Sequence, residues 1–66
     1  MTGKVKWFND TKGYGFIVGE DNAESFVHFS NINMRGHRTL GEGQEVTFET
    51  RTTNRGVEAI NVTPVV

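Results

Sequence analysis

The chain contains no cysteine among its 66 residues, so neither a disulfide framework nor a thiolate metal site can stabilise its fold. It also lacks a long hydrophobic run, and no stretch approaches the roughly 20 apolar residues that a membrane helix needs. Residues 1–10, MTGKVKWFND, do not contain the apolar core of a signal peptide. The sequence therefore predicts a soluble cytoplasmic protein with no membrane segment.

Groups that could support catalysis are also scarce. The two histidines, His28 and His37, lie nine positions apart with no cysteine in the chain, and no pair of carboxylates has a spacing that suggests a catalytic cleft. The glycines of KGYGF (12–16) do not predict a phosphate-binding loop, because such loops lead into the N-terminus of a helix and a strand-like segment follows here. We expect no enzymatic activity, no metal site and no cofactor.

The size of the chain suits one domain, which we place at residues 1–66. A domain this small buries only about 60% of its unfolded surface. A single hydrophobic core of that size supplies about 3–5 kcal/mol of stability. We therefore expect a marginally stable fold.

Five short segments rich in β-branched and aromatic residues predict strands, at residues 3–9, 14–18, 25–29, 45–50 and 57–62. No segment repeats apolar residues with helical spacing, and only a single helical turn near Ser30 is expected, because serine favours the N-cap position. The fold class is therefore all-β. Five strands with one longer connection between the third and the fourth predict a small closed barrel, which removes most exposed strand edges.

The fourth and fifth predicted strands alternate between apolar and polar residues. Val46 and Phe48 are expected to face the interior of the barrel, and so are Ile60 and Val62, while Asn61 faces water. These two strands therefore fit a sheet with one buried face.

The second and third predicted strands are apolar on both sides. If the small and aliphatic residues point inward, aromatic side chains point outward, namely Tyr14, Phe16, Phe26 and His28. The opposite assignment would expose Ile17 and Val27. A chain of this length has no second layer to cover either surface, and an exposed apolar patch usually marks a binding site.

Lysines accompany the aromatic residues. Lys6 directly precedes Trp7 and Phe8, and Lys12 precedes Tyr14 by two positions. The formal net charge is only −1, but the acidic residues are concentrated in other segments. Aromatic rings stack on unpaired bases and neighbouring cations follow the phosphate backbone, so the pattern favours a single-stranded nucleic acid. The alternative is a barrel whose aromatic groove binds an extended or proline-rich peptide.

Two motifs make the whole chain resemble the bacterial cold shock proteins. KGYGFI (12–17) resembles the first ribonucleoprotein motif of that family and SFVHF (25–29) the second, and GKVKWFN (3–9), TLGEGQEV (39–46) and NRGVEAINV (54–62) fit the same family. The resemblance implies a five-stranded antiparallel Greek-key barrel of the OB-fold type. It further implies a monomer that binds single-stranded RNA and DNA with a preference for pyrimidines. Such a protein acts as an ATP-independent RNA chaperone in the cold, with effects on antitermination and translation.

The resemblance also implies roles for individual residues. The stacking residues would be Trp7, Tyr14, Phe16, Phe26, His28 and Phe29. Phe8 lies at the edge of this set and serves either the binding surface or the core. Positive charge would come from Lys6, Lys12 and Arg55, and a polar contact from Asn9.

The chain departs from the family pattern at a few positions. His37 stands where many members carry phenylalanine, and it would still stack on a base. Glu24 replaces a frequent aspartate, and Ser25 replaces a common valine. Ile60, where alanine is common, is larger, so we hypothesise that it compensates in the core for the apolar volume lost at Ser25.

Overall fold

The fold was analysed in a computed structural model that describes residues 1–34 and 39–65. Within these residues the chain forms five strands and one short 3-10 turn. The strands are β1 Thr2–Asn9, β2 Tyr14–Gly19, β3 Glu24–His28, β4 Glu45–Thr53 and β5 Gly56–Pro64, and the turn is Phe29–Asn31. The described residues contain no helix that is long and apolar enough to cross a membrane.

The strands close into a barrel in the order β1-β2-β3-β5-β4, with β4 returning to β1. The all-β, five-stranded Greek-key barrel predicted from the sequence is confirmed. Its strand pairs are antiparallel with one exception, because β3 and β5 run parallel. This parallel seam joins only two residue pairs, Phe26 with Glu58 and Val27 with Ala59.

The core lies inside the barrel and consists of apolar side chains from every strand and from the residues that follow the 3-10 turn. Its members are Val5, Ile17, Val27, Ile32, Leu40, Val46, Phe48, Ala59 and Val62. The predicted inward positions in β2, β3 and β4 are all buried, so the period-two pattern correctly predicted which side chains of these strands face the interior.

The prediction for the fifth strand was wrong at Ile60. Ala59 is buried and Ile60 is half-exposed, although Val62 points inward as expected. The reason is a β-bulge: the pairing of β4 with β5 shifts register there, and Asn61 adopts a φ of 51°. The extra residue interrupts the alternation of inward and outward side chains along β5. Ala59 and Val62, three positions apart, can therefore both face the interior.

The bulge also removes the proposed compensation between Ser25 and Ile60. Ser25 is buried, with 4% of its surface exposed, but Ile60 does not belong to the core cluster. Among the described residues, no fully buried side-chain nitrogen or oxygen lacks a hydrogen-bond partner. The barrel therefore accommodates a serine here without help from Ile60.

The ends of two elements also differ from the sequence prediction. The 3-10 turn begins at Phe29, with His28 rather than Ser30 as its N-cap. Strand β4 continues to Thr53, where the hydroxyl group donates a hydrogen bond to the carbonyl of Gly56 at 3.1 Å and accepts one from the N–H of Arg55 at 3.2 Å. These bonds close a tight β4–β5 turn, so both strands are longer than their apolar residues indicate.

Candidate nucleic-acid interface

A second bulge, in β1, decides which of its residues face outward. The pairing of β1 with β2 shifts register between Val5 and Trp7, which leaves Lys6 as the extra residue. Val5 points inward before the bulge, and Phe8 packs against the core after it, opposite Gly15. Trp7 consequently lies on the outer surface beside the aromatic residues of β2.

The outward side chains of three adjacent strands form one continuous aromatic surface, which we call the aromatic face: Trp7, Tyr14, Phe16, Phe26 and His28. The centroid of the Trp7 ring lies 5.6 Å from that of Tyr14 and 5.4 Å from that of Phe16. The Phe26 ring lies 5.8 Å from Tyr14 and 5.9 Å from Phe16. All of these residues are half-buried, so each ring is held by its neighbours and still reaches solvent.

Phe29 extends the aromatic face beyond the end of β3. Its ring centroid lies 4.5 Å from that of His28, and 43% of its surface is exposed. The ring covers Gly13 so closely that a Cβ atom there would lie 2.6 Å from Phe29 Cδ1. Gly13 also has a φ of 76°, which favours glycine. The glycine in the β1–β2 turn therefore allows Phe29 to pack closely against the turn.

The predicted cations lie at the margin of the aromatic face. Lys6 forms an ion pair with Glu24, in which Nζ and Oε2 are 3.0 Å apart and both side chains are about half exposed. Lys12 is exposed in the β1–β2 turn, where its backbone N–H donates to Asn9 Oδ1 at 2.8 Å. The side-chain carbonyl of Asn9 therefore shapes the turn, and its amide nitrogen is the group that can contact a ligand. Arg55 lies in the β4–β5 turn.

A groove of about 290 Å³ continues the aromatic face toward the β4–β5 turn. Its walls consist of Phe16, Glu24, Phe26, Thr53, Arg55, Gly56, Val57 and Glu58. Arg55 is thus placed beside the aromatic rings. A larger groove of about 400 Å³ lies elsewhere and has no aromatic residue in its walls, so it offers no stacking surface.

Sequence analysis missed three residues of this region. Val57 is 45% exposed in the groove, and Glu58 accepts a hydrogen bond from the guanidinium group of Arg51. In the sequence Val57 is one of several apolar residues in a strand, and the two charged residues look like ordinary surface charge. The parallel seam places Val57 and Glu58 beside Phe26. Arg51 reaches this region through its pairing with Glu58 across the β4–β5 ladder. No local pattern in the sequence predicts the pairing of β3 with β5.

The structure brings most of the predicted site residues together. Six aromatic residues share one surface, Phe8 packs against the core behind it, and the polar and charged candidates Lys6, Asn9, Lys12 and Arg55 border it. His37 lies outside the described residues. The described part of the chain contains no cluster of histidine, aspartate and glutamate residues that could hold a metal ion.

A small closed barrel with an exposed aromatic surface bordered by cations defines a nucleic-acid-binding protein of the OB-fold type. Comparison with known proteins gives the family. The model of the 'Cold-shock' DNA-binding domain matches residues 1–65. The chain therefore belongs to the cold-shock domain family, whose members are nucleic-acid-binding proteins and are not defined by an enzymatic activity.

Individual relatives agree with this assignment. The chain is 58% identical to Cold shock protein 1 of Lactiplantibacillus plantarum over 62 residues, 94% of each chain. It is 60% identical to Cold shock-like protein CspD of Bacillus cereus over 63 residues, 96% of each chain. Among solved structures, drosophila Unr CSD456 superposes with a TM-score of 0.74 at 20% identity, over 98% of this chain and 26% of that one. This last similarity concerns the fold alone.

Proposed function

We propose that the protein binds single-stranded RNA and DNA by stacking bases on the aromatic face, and that it acts as an ATP-independent RNA chaperone. The observation that carries the proposal is the aromatic face itself, in which four rings lie 5.4 to 5.9 Å from their neighbours and remain accessible to solvent. Each stacked base contributes about 1–3 kcal/mol of binding free energy with little dependence on sequence.

The preference for single strands follows from what a duplex conceals. Paired bases stack on each other, so their flat surfaces are not available to the protein rings. A protein that binds only the unpaired state shifts a hairpin equilibrium toward the open form by mass action, and this requires neither ATP nor a motor. Keeping transcripts unpaired in the cold would in turn affect antitermination and translation.

The cellular setting is part of the same proposal. We infer a cytoplasmic monomer of one domain that takes part in the response to cold. A modest preference for pyrimidines is expected, because differences in stacking strength and backbone flexibility produce such preferences on an aromatic surface.

Titration of Trp7 fluorescence with oligothymidine tests the proposal. Trp7 is the only tryptophan of the chain and lies in the aromatic face, so a base stacked there should quench its emission. A blunt duplex of the same length serves as the control and should cause no quenching. A response to the duplex alone, or to neither, would refute the stacking platform. Quenching by a proline-rich peptide instead would favour the peptide-binding alternative.

The ion pair between Lys6 and Glu24 leads to a prediction about salt dependence. With three or four cations near the aromatic face, the logarithm of the affinity should fall with the logarithm of salt concentration with a slope of about −2 to −3. Glu24→Gln removes the carboxylate that neutralises Lys6 and should strengthen binding of oligothymidine about twofold to fivefold at low salt, a gain typical of one exposed ion pair. The slope should become steeper by up to about 0.7.

The matched control for this prediction is Glu49→Gln. Glu49 also accepts a hydrogen bond from a neighbouring side chain, since Asn61 Nδ2 donates to it at 2.6 Å, but it lies on β4 outside the groove. Titrations at two salt concentrations should therefore give wild-type values for this variant. Equal effects of the two substitutions would show that net charge, and not the pairing with Lys6, controls binding.

A further inference from the structure

The side chain of His28 does more than present a ring, because it also caps the 3-10 turn Phe29–Asn31. The backbone N–H of Ser30 donates to Nδ1 of His28 at 3.3 Å. The hydroxyl oxygen of Ser30 lies 2.8 Å from the same nitrogen. An imidazole nitrogen thus takes the place of the side-chain oxygen that usually caps a helical turn.

This arrangement favours one position of the ring proton. A backbone N–H can only donate a hydrogen bond, so Nδ1 must offer its lone pair. With the proton of the neutral ring on Nε2, Nδ1 can accept from both the backbone N–H and the hydroxyl of Ser30, whereas with the proton on Nδ1 it could bond only to the hydroxyl oxygen, so the Nε2–H tautomer makes one more hydrogen bond. The tautomer of a histidine is commonly set by the hydrogen bond at its other nitrogen. Because Nδ1 faces the turn, the Nε2–H group points away from it.

We propose that Ser30 is a positioning residue that holds His28 in the Nε2–H tautomer, and that this N–H group donates a hydrogen bond to a phosphate oxygen of the bound strand. The proposal rests on the proposed function. The N–H bond lies in the plane of the imidazole ring, and a base stacked on that ring lies in a parallel plane. The face of the stacked base therefore cannot accept from this donor, and the acceptor must lie beyond the edge of the base, where phosphate oxygens are the strongest acceptors that a strand offers.

The contact would differ from those of the lysines. A neutral imidazole donor adds a directional hydrogen bond without adding charge, so it should contribute to affinity with little effect on the salt slope. A phosphate acceptor is present at every nucleotide, so the contact does not select a base. His28 would thereby fix the register of the backbone relative to the stacked bases.

The tautomer can be measured on the free protein. Long-range proton–nitrogen NMR correlations at mildly alkaline pH should show His28 with its proton on Nε2. Ser30→Ala keeps the backbone N–H but loses the hydroxyl that makes the shorter contact with Nδ1, so the population carrying the proton on Nδ1 should rise. Ser30→Thr should restore the wild-type pattern because it retains the hydroxyl. Ser30 is exposed, so these variants should fold. A wild-type ring protonated on Nδ1, or an unchanged tautomer in Ser30→Ala, would overturn the role of Ser30.

The phosphate contact is tested by a double-mutant cycle in which one change is made in the protein and the other in a phosphate of the ligand. Each phosphate of an oligothymidine is replaced in turn by an uncharged methylphosphonate, and each oligomer is titrated against wild type and His28→Phe, which keeps an aromatic ring but removes both nitrogens. At one linkage the replacement should weaken binding to wild type about fivefold to tenfold and leave His28→Phe nearly unaffected. Ser30→Ala should reduce that difference, and Ser30→Thr should retain it.

The outcomes separate this inference from the proposed function. If oligothymidine binds and no linkage shows coupling to His28, the phosphate contact is wrong and the stacking platform stands. If coupling appears only with thymine analogues that lack a carbonyl oxygen, the acceptor is a base, and the assignment to phosphate is overturned. If oligothymidine does not bind at all, both the contact and the proposed function fail, whatever tautomer the free protein shows.

Discussion

Replacement of Phe16 or Phe26 by alanine is expected to weaken binding of single-stranded oligothymidine about 5- to 150-fold, which corresponds to about 1–3 kcal/mol for the loss of one stacking ring. The free energy of unfolding should change little, because both rings pack against other rings of the aromatic face and neither belongs to the core cluster. Fluorescence titration measures the first quantity and urea denaturation the second.

Val27→Ala is the matched control for this prediction. Val27 lies in β3 next to Phe26, but it points inward and is fully buried. Its truncation should lower the free energy of unfolding by about 1–3 kcal/mol and leave the affinity of the folded fraction unchanged. Of the two β3 variants, Phe26→Ala should therefore lower the affinity and Val27→Ala should lower the free energy of unfolding. If Phe26→Ala is destabilised as strongly as Val27→Ala, the inward and outward faces of the strand have been exchanged.

Gly15→Ala should remove a large part of the stability of the barrel. A Cβ atom at Gly15 would lie 2.2 Å from the carbonyl oxygen of Trp7 and 2.7 Å from Cα of Phe8. Both atoms belong to the backbone, so no side-chain rotation relieves the clash and β1 must move away from β2. Overpacking of this kind costs about 1–3 kcal/mol or more, against a total of about 3–5 kcal/mol for a domain of this size. Urea denaturation followed by circular dichroism should show a midpoint far below that of the wild type.

Gly41→Ala provides the comparison for Gly15. A Cβ atom there would find only Gln44 Oε1, at 3.7 Å, which is an ordinary contact. The midpoint of urea denaturation should stay close to that of the wild type, with a change within about 0.5 kcal/mol. Equal stability of the two variants would show that β1 and β2 do not approach as closely as described.

Period-two patterning predicted the part of the fold that positions the aromatic residues. In β2 and β3 the inward residues are small or aliphatic and the outward residues aromatic, so either reading of the two segments left an apolar surface exposed. The structure shows which reading is right, since Ile17 and Val27 are fully buried and Phe16 and Phe26 are half-buried. Their roles in binding remain predictions.

The same patterning failed where a strand contains an extra residue. Alternation could not choose among Lys6, Trp7 and Phe8, and it placed Ile60 in the core. The undecided positions of β1 and the wrong position of Ile60 both occur at bulges, at Lys6 in β1 and at Asn61 in β5. A bulge is a mismatch between two strands, so it depends on the partner as much as on the sequence of the strand that contains it.

Long-range pairing limited the prediction of the groove. Val57 and Glu58 lie beside Phe26 because β5 runs parallel to β3, and these segments are about 30 positions apart in the sequence. Whether two such distant strands pair in parallel or antiparallel is decided by how the whole barrel closes, not by the sequence of either strand. The hairpin that presents Arg55 was correctly placed between two strands, but its position beside the aromatic rings was available only through the family resemblance.

The strand order has a consequence for how the chain folds. The aromatic face lies entirely on β1, β2 and β3, which pair through short connections, whereas barrel closure requires β4 and β5 from much later in the sequence. Contacts between nearby segments form fastest because their loop-closure entropy is small. We therefore expect the pairing of β1, β2 and β3 to be more advanced than barrel closure in the folding transition state. If the aromatic face is already formed in the transition state, an oligonucleotide bound to it should raise the folding rate, whereas a ligand that recognises only the closed barrel should slow unfolding alone.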